Sequence, residues 1–513
     1  MRGEARGRRP PGAIVFPMLG PRRKHSASTL RRGLALALGS ACAALALAGC
    51  AREPAGPPNI VVILTDDQGW GATSVAMDPD VPESGSDFVR TPRLERLAAA
   101  GLRFSRAYAT HPNCSPSRAS LLTGRSPAAL GFTDVPRPPH KFEPFYRGNR
   151  LLPPQGTREL SRELDTIPEL LAAAHPEYRS AHFGKWHLGA GGPVAHGFDE
   201  GDGATGNEEG DEGERIDPDP KRCFSVTRRA IDFLRRRERD GRPFYLQVSH
   251  YAPHLAPQSR RSSLARVQRW PAGERHADVD FASMSLDLDA AVGQLLEALD
   301  ELSPPERTWV FYTSDNGTYP TADPANVNGP LRGGKSSLWE GGVRVPWIVR
   351  GPGVAAGAVS GVPAVGFDLL PTVAELAGVG ELPEGVEGVS LLPVLLGEAS
   401  VLRRPGGGVG FHFPHYQHRK GTRPATTWLD LESGSKVHQW WEDGRVELYD
   451  LETDPGERRD LASSAPARAA ELVRSLEAWL ERVGAPRPTP NPDYDPARDP
   501  AARFPPESLT PYD

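Results

Sequence analysis

Cysteine is scarce in this chain, with four in 513 residues, too few and too scattered for a disulfide framework. Cys42 and Cys50 fall in and just after an N-terminal leader, which leaves Cys114 and Cys223 as the one pair able to bridge. A membrane-spanning run is also missing. The apolar stretch Gly33–Ala48 is short for a span and follows Arg22, Arg23, Lys24, Arg31 and Arg32, so residues 1–49 read as a signal peptide. Excess positive charge is absent as well. Removing residues 1–49 takes away nine Lys and Arg and one Glu, so the formal charge moves from −5 to about −13. That excludes a nucleic-acid partner, and it means that an anionic substrate would need a local cluster of cations to attract it. What is present, 24% charged and 38% hydrophobic residues, suits a large core with a smaller second domain.

At the end of the leader, Leu47-Ala48-Gly49-Cys50 resembles a bacterial lipobox. The expectation is an exported, periplasmic or cell-surface lipoprotein held to the membrane by acylated Cys50; simple secretory cleavage or a retained anchor are the alternatives. Met18 is a second candidate start, and Thr29-Leu30-Arg31-Arg32 hints at twin-arginine export.

Beyond a short Pro/Gly linker, the run Asn59–Thr65 is almost continuously apolar and rich in β-branched residues, as a strand buried on both faces should be. It ends in Asp66-Asp67. In an open α/β sheet, ligand groups gather at the carboxyl ends of strands, and two adjacent carboxylates repel unless a cation lies between them. Thr308–Ser314 repeats the pattern and ends in Asp315-Asn316. Arg242–Ser249 reads as another strand, followed by His250 and His254, while Arg179–Gly189 carries Lys185 and His187 two apart on an extended segment. Helices are expected over 91–101, 165–174, 224–236, 284–302 and 467–483. The acidic stretch Asp199–Pro220 has carboxylates enough for a calcium loop but lacks EF-hand spacing, and it reads instead as a mobile solvated loop that could overhang the site.

The stretch His111–Arg125, HPNCSPSRASLLTGR, organises the rest. Pro116 is suited to a first helical position, which would make Ser115 the N-cap and Gly124 the stop, and would put Cys114 just outside the helix N-terminus. There the dipole would lower the thiol pKa and favour an anion. Arg118 sits in the first turn against the dipole, as a residue holding an anionic ligand would. The plain alternative is a capped helix with a buried cysteine, a disulfide to Cys223 being one form of it.

Cys114-Ser115-Pro116-Ser117-Arg118 with Leu122-Thr123-Gly124-Arg125 resembles the signature of type I sulfatases, of the alkaline phosphatase superfamily. Gly184-Lys185-Trp186-His187-Leu188-Gly189, Ala252-Pro253-His254 and Gly333-Gly334-Lys335 through Pro346 resemble further family segments, in family order. The resemblance implies an α/β fold with a large mixed, mostly parallel sheet flanked by helices, over residues 59–400. It further implies a smaller C-terminal α+β subdomain over 401–483, and the proline-rich tail 484–513 then follows; residues 50–58 form the lipid-anchor linker.

It also implies sulfate monoester hydrolysis. Cys114 would be oxidised to formylglycine by a formylglycine-generating enzyme, and the hydrated aldehyde would be the nucleophile. Asp66, Asp67, Asp315 and Asn316, with the modified Cys114, would hold Ca2+, or Mg2+ in a tighter cage. Arg118, Lys185, His254 and Lys335 would bind sulfate; Asp315 would help deprotonate the hydrate, His254 or Lys335 would protonate the leaving oxygen, and His187 would serve as base in sulfate release. His250 is the alternative to His254. The substrate would be a sulfated small molecule or glycan. A phosphate or phosphonate monoester hydrolase of the same superfamily and a non-catalytic lipoprotein that binds sulfated glycans are the competing functions.

Overall fold

The computed structural model describes residues 56–136, 147–189, 191–211, 217–319 and 327–499. The expected leader, the lipidation site Cys50, most of the loop Pro136–Arg150 and the last residues of the tail lie outside the described residues.

Strand β1 (Asn59–Thr65) is buried at every position. Helix α1 (Pro92–Ala100), strand β2 (Leu102–Phe104), helix α2 (Cys114–Thr123) and helix α3 (Ile167–Ala174) come next. Strands β3 (Arg179–Gly184) and β4 (Glu200–Gly201) precede helix α4 (Cys223–Asp240), strand β5 (Phe244–Ser249), helix α5 (Val279–Leu302) and strand β6 (Thr308–Ser314). Strands β7 (Trp347–Arg350) and β8 (Ala358–Ser360) and helix α6 (Leu369–Ala377) complete this part. The eight strands form one sheet in the order β8-β2-β7-β6-β1-β5-β3-β4. All pairs are parallel except those of β7, which runs antiparallel to both β6 and β2. The expected mixed, mostly parallel sheet is therefore what forms.

Alternation along β1 explains the layers. Val61 and Ile63 join a core with α1, α4 and α5, while Ile60, Val62 and Leu64 join one with α2, α3 and α6. A strand apolar on both faces thus needs helices on both sides of the sheet. Strands β9 (Gly408–Phe413), β10 (Ala425–Asp430), β11 (Ser435–Trp440) and β12 (Val446–Asp450) make a separate antiparallel sheet in sequence order. Helix α7 (Pro466–Arg482) packs Leu472, Leu476 and Trp479 on one face of it, against Trp428, Val437 and Leu448. Its other face meets Tyr108, Leu338, Val343 and Val365 of the larger sheet's layer.

Two expectations of irregular chain need correction. The tail contributes a short strand, Thr489–Pro490, which pairs with Leu151–Leu152. The described part of the acidic stretch is not a free solvated loop. It supplies edge strand β4, and its Thr205 is buried and bonded to the β3 turn: Thr205 Oγ1 donates to Gly184 O at 2.7 Å and accepts from Trp186 N at 2.9 Å.

Register decides what meets at the strand ends. Leu64 of β1 lies beside Thr313 and Ser249, and Ser249 lies beside Gly184, so four parallel strands finish on one level. Gly184 closes β3 at φ +97°, where a Cβ would stand 1.9 Å from the Ser249 carbonyl oxygen. Gly184→Ala should therefore cost about 3 kcal/mol or more, seen as a lowered Cm in urea unfolding.

Candidate active site

Helix α2 begins two residues earlier than the Pro116 signal implies. Asn113 is the extended N-cap residue, and Cys114 occupies the first helical position. Proline lacks only an N–H that any residue of the first turn would leave unpaired, so it fits the third position as well as the first. Gly124 ends the helix in the left-handed conformation at φ 69°. Cys114 and Cys223, the cysteines among the described residues, are both free and buried, so no bridge joins them. The expected low thiol pKa is also corrected. Burial pushes the Cys114 thiol up to about 12, and the nearby Lys185 and Lys335 do not overcome it.

Around Cys114 the strand ends converge. Its Sγ lies 3.4 Å from Asp66 Oδ1, 3.8 Å from Asp67 Oδ1 and 3.2 Å from Lys335 Nζ. Lys185 Nζ donates to Asp66 Oδ2 at 2.5 Å, and Lys335 Nζ to Asp67 Oδ2 at 2.8 Å. Arg118 Nε donates to Asp315 Oδ2 at 2.8 Å and its Nη1 to the Lys185 carbonyl at 2.6 Å. Asn316 Nδ2 donates to Asp67 Oδ1 at 2.7 Å. Asp67 itself adopts φ 63°, and its N–H donates to Asp315 Oδ1 at 3.1 Å. Three carboxylates and three cations thus share a pocket in which Asp66, Asp67, Arg118, Lys185 and Asp315 are at most 2% exposed.

The charges set one another. Burial opposes the charge on Asp66, but Lys185, His254 and Arg118 outweigh it and hold the carboxyl well below its usual range. Asp67 is lowered too, burial again being outweighed, here chiefly by Lys335. Asp315 goes the other way: burial and the neighbouring Asp66 raise it to about 6 despite Arg118.

The two histidines differ. His254 Nε2 lies 3.7 Å from Asp67 Oδ2, with its Nδ1 at 2.5 Å from the Leu255 carbonyl. Burial and Lys335 lower its pKa to about 4, so the ring is neutral near pH 7. His187 is not on an extended segment as expected; it takes φ 59° because Thr205 O accepts its N–H at 2.7 Å. The turn still leaves Trp186 and Leu188 buried, and burial followed by Lys185 and Arg118 keeps the His187 ring well below its usual pKa. His250, the alternative to His254, is fully buried; burial lowers it to about 4, and the one charged group that acts on it there is Asp219.

The donor set suits a hard divalent cation. One ligand atom each from Asp66, Asp67, Cys114 and Asp315 lie within 4.8 Å of one another, and among the described residues no second such cluster occurs. Asn316 Oδ1 is buried without a partner, a further oxygen beside Asp67. Because the three carboxylates are already balanced by three cations, an added divalent ion would leave the pocket positive and ready for an anion.

Several residues of the site escaped sequence reasoning. Thr318 Oγ1 accepts from Gly69 N at 2.7 Å and donates to Asp67 O at 3.0 Å, which fixes the Asp67 turn. Ser336 Oγ donates to Asn113 Oδ1 at 2.7 Å and so ties the Lys335 loop to the N-cap of α2. Their only sequence signal is adjacency to Asn316 and Lys335.

Comparison with known proteins agrees with this geometry. Residues 58–379 match the Sulfatase family model, and residues 334–485 match the model for the C-terminal part of N-sulphoglucosamine sulphohydrolase. Canine (Canis lupus familiaris) N-acetylgalactosamine-6-sulfatase is 33% identical over 373 residues, 66% of each chain, so about two thirds of its length is matched. Bovine (Bos taurus) arylsulfatase A is 31% identical over 484 residues, 82% of this chain and 87% of that one. A solved structure of BT4656 with its substrate D-glucosamine-2-N,6-O-disulfate aligns with TM-score 0.63 at 22% identity, covering 83% of this chain and 98% of that one. The chain belongs to the sulfatase family and is a sulfuric ester hydrolase on the alkaline phosphatase-like fold.

Proposed function

We propose that the protein removes sulfate from a sulfated carbohydrate, using formylglycine derived from Cys114 and one bound Ca2+, with Mg2+ as the alternative ion. The observation that carries this reading is the meeting of Asp66, Asp67, Cys114 and Asp315 within 4.8 Å, ringed by Arg118, Lys185 and Lys335. The carbohydrate class is supported by the printed activities of the relatives and by a leader suited to export. Maturation would require a formylglycine-generating enzyme. Export with lipidation at Cys50, and hence membrane anchoring, is proposed on the lipobox alone.

In this scheme Asp66, Asp67, Asp315 and Asn316 would hold the ion, which would supply Lewis-acid polarisation when bound. The hydrated aldehyde at position 114 supplies the nucleophilic oxygen and a second hydroxyl for releasing sulfate. Arg118, Lys185 and Lys335 stabilise the charge that builds on the sulfuryl oxygens, in a pocket where water screens little. Asp315 takes a proton from the nucleophile. Lys335 or His254 passes a proton to the leaving oxygen; His254, neutral near pH 7 with its Nδ1 proton on the Leu255 carbonyl, donates from Nε2 in its protonated form alone. His187 is the base for sulfate release.

Peptide mass spectrometry tests the nucleophile: in protein from its native host, the tryptic peptide Ala107–Arg118 should carry an aldehyde in place of the thiol. An intact thiol in active protein would overturn the scheme. Asp315→Asn should lower kcat by about 10²–10⁴-fold with a melting temperature close to the parent's. Chelation should abolish turnover of an aryl sulfate, with calcium or magnesium restoring it; a substrate panel on which only phosphate esters turn over would remove the sulfatase assignment of this chain.

A further inference from the structure

A second buried charge network lies outside the pocket just described. On strand β11, Lys436 is fully buried, with Nζ 2.9 Å from Glu340 Oε1 and 2.9 Å from Glu457 Oε1. His438 Nε2 lies 2.9 Å from the same Glu457 oxygen, and Glu457 Oε2 accepts the backbone N–H of Glu340 at 2.6 Å. Tyr108 OH donates to Glu340 Oε2 at 3.0 Å, and Arg344 stands 3.6 Å from that oxygen. Burial works against the Lys436 charge, yet Glu340 and Glu457 outweigh it and raise its pKa. Burial lowers that of His438, so the charged members are two carboxylates and two cations. Such a network is a poor way to gain stability, because well-packed apolar side chains would do as well or better. Its distinguishing property is that it allows only one placement of the groups it joins.

What it places is the backbone next to the catalytic pocket. Glu340 opens the short helix Glu340–Val343. Gly342 O accepts from Gly317 N at 3.0 Å, next to Asn316; Gly341 N donates to Arg332 O at 2.8 Å; and Lys335 N donates to Thr318 O at 2.9 Å. These segments have no slack between them. A Cβ on Gly317 would lie 1.8 Å from Gly341 O, and one on Gly342 would lie 2.0 Å from Ser337 O and 2.5 Å from Gly334 O. Any shift of the Glu340 turn must therefore move Gly317 and the 333–337 loop with it. Trp339 adds a clamp: its ring lies 4.3 Å from that of His438 at a tilt of 49°, with the Arg332 guanidinium 3.8 Å from its centroid.

We infer that Glu457 and Lys436 are positioning residues which, through Glu340 and the glycine-packed turn, set Lys335 and Asn316 from the C-terminal sheet. The inference rests on the assignment of Lys335 and Asn316 to the pocket's chemistry. It makes the C-terminal sheet a working part of the catalytic centre, although Lys436 and Glu457 do not touch it.

The test uses the full-length matured enzyme in four forms: parent, E457Q, the triple variant E340Q/K436M/E457Q, and R468M. Arg468 pairs with Asp430 at 2.6 Å and ties α7 to the same sheet without reaching Glu340, so R468M reports simple loosening. Turnover of an aryl sulfate, melting temperature and hydrogen exchange of the 331–345 peptide are read together. E457Q and the triple variant should stay folded, lose at least tenfold in kcat with KM changed by less than threefold, and exchange faster in 331–345 than in 59–65. R468M, even with an equal loss in melting temperature, should keep kcat within twofold. Unchanged kcat in folded E457Q, or an equal kcat loss in R468M, would overturn the inference. If the parent turns over no sulfate ester, the assignment of the site has failed; faster exchange confined to 331–345 would still support the mechanical link, and unchanged exchange would refute it.

Discussion

Everything in this structure depends on keeping three carboxylates charged in a place where water cannot reach them. Asp66, Asp67 and Asp315 are each no more than 2% exposed, and a lone buried carboxylate would take up a proton rather than stay ionised. Arg118, Lys185 and Lys335 prevent that for Asp66 and Asp67. Asp315, raised by burial and by the neighbouring Asp66, is the one that goes up to about 6. Each cation comes from a different element: Arg118 from α2, Lys185 from the end of β3, Lys335 from a loop beyond β6. No local segment could build this pocket, so the pocket exists only when the sheet, the helix and the loop are all in place.

Parallel strands supply the geometry. Because β3, β5, β1 and β6 run side by side in one direction, their carboxyl ends open on the same edge, and residues just past each end become neighbours although they are far apart in the chain. The backbone carries the arrangement across: Asp315 N donates to Thr65 O, His250 N to Leu64 O, and Lys185 N to Ser249 O. Asp315, His250 and Lys185 are therefore held by the last hydrogen bonds of the sheet ladder.

How much of this was legible in the sequence follows from the range of the forces involved. Strands β1 and β6 could be read residue for residue, since a run apolar on both faces has little else to become. The constellation could be read because each member ends or follows such a run, or sits in a recognisable motif. The start of α2 was misplaced by two residues because proline satisfies several positions of a first turn. The Cys114 thiol was misjudged because a helix terminus is a local feature while burial is a tertiary one, and burial dominates. Thr205 was invisible inside an acidic stretch whose composition suggested solvent. The network of Glu340, Lys436 and Glu457 was invisible for the same reason: nothing near Glu340 in the chain says that its partners lie about a hundred residues later.

The overall charge and the local charge have opposite signs, which bears on how an anionic ester is captured. The chain is net negative, and the β4 edge beside His187 carries Glu200, Asp202 and Glu209, two of them paired with Arg236 and Arg229. Long-range steering of an anion toward the cleft is therefore weak, and little of it would survive a Debye length of about 8 Å at physiological salt. The attraction acts at contact, where Arg118, Lys185 and Lys335 stand in a medium that screens poorly. Binding strength then comes from fixed geometry rather than from field, so small displacements of these cations matter more than changes of surface charge. A protein that works this way must spend its buried polar interactions on rigidity around the cleft, and the Asp67 turn, the Thr205 clamp and the glycine-packed turn at Gly317 are where this one does so.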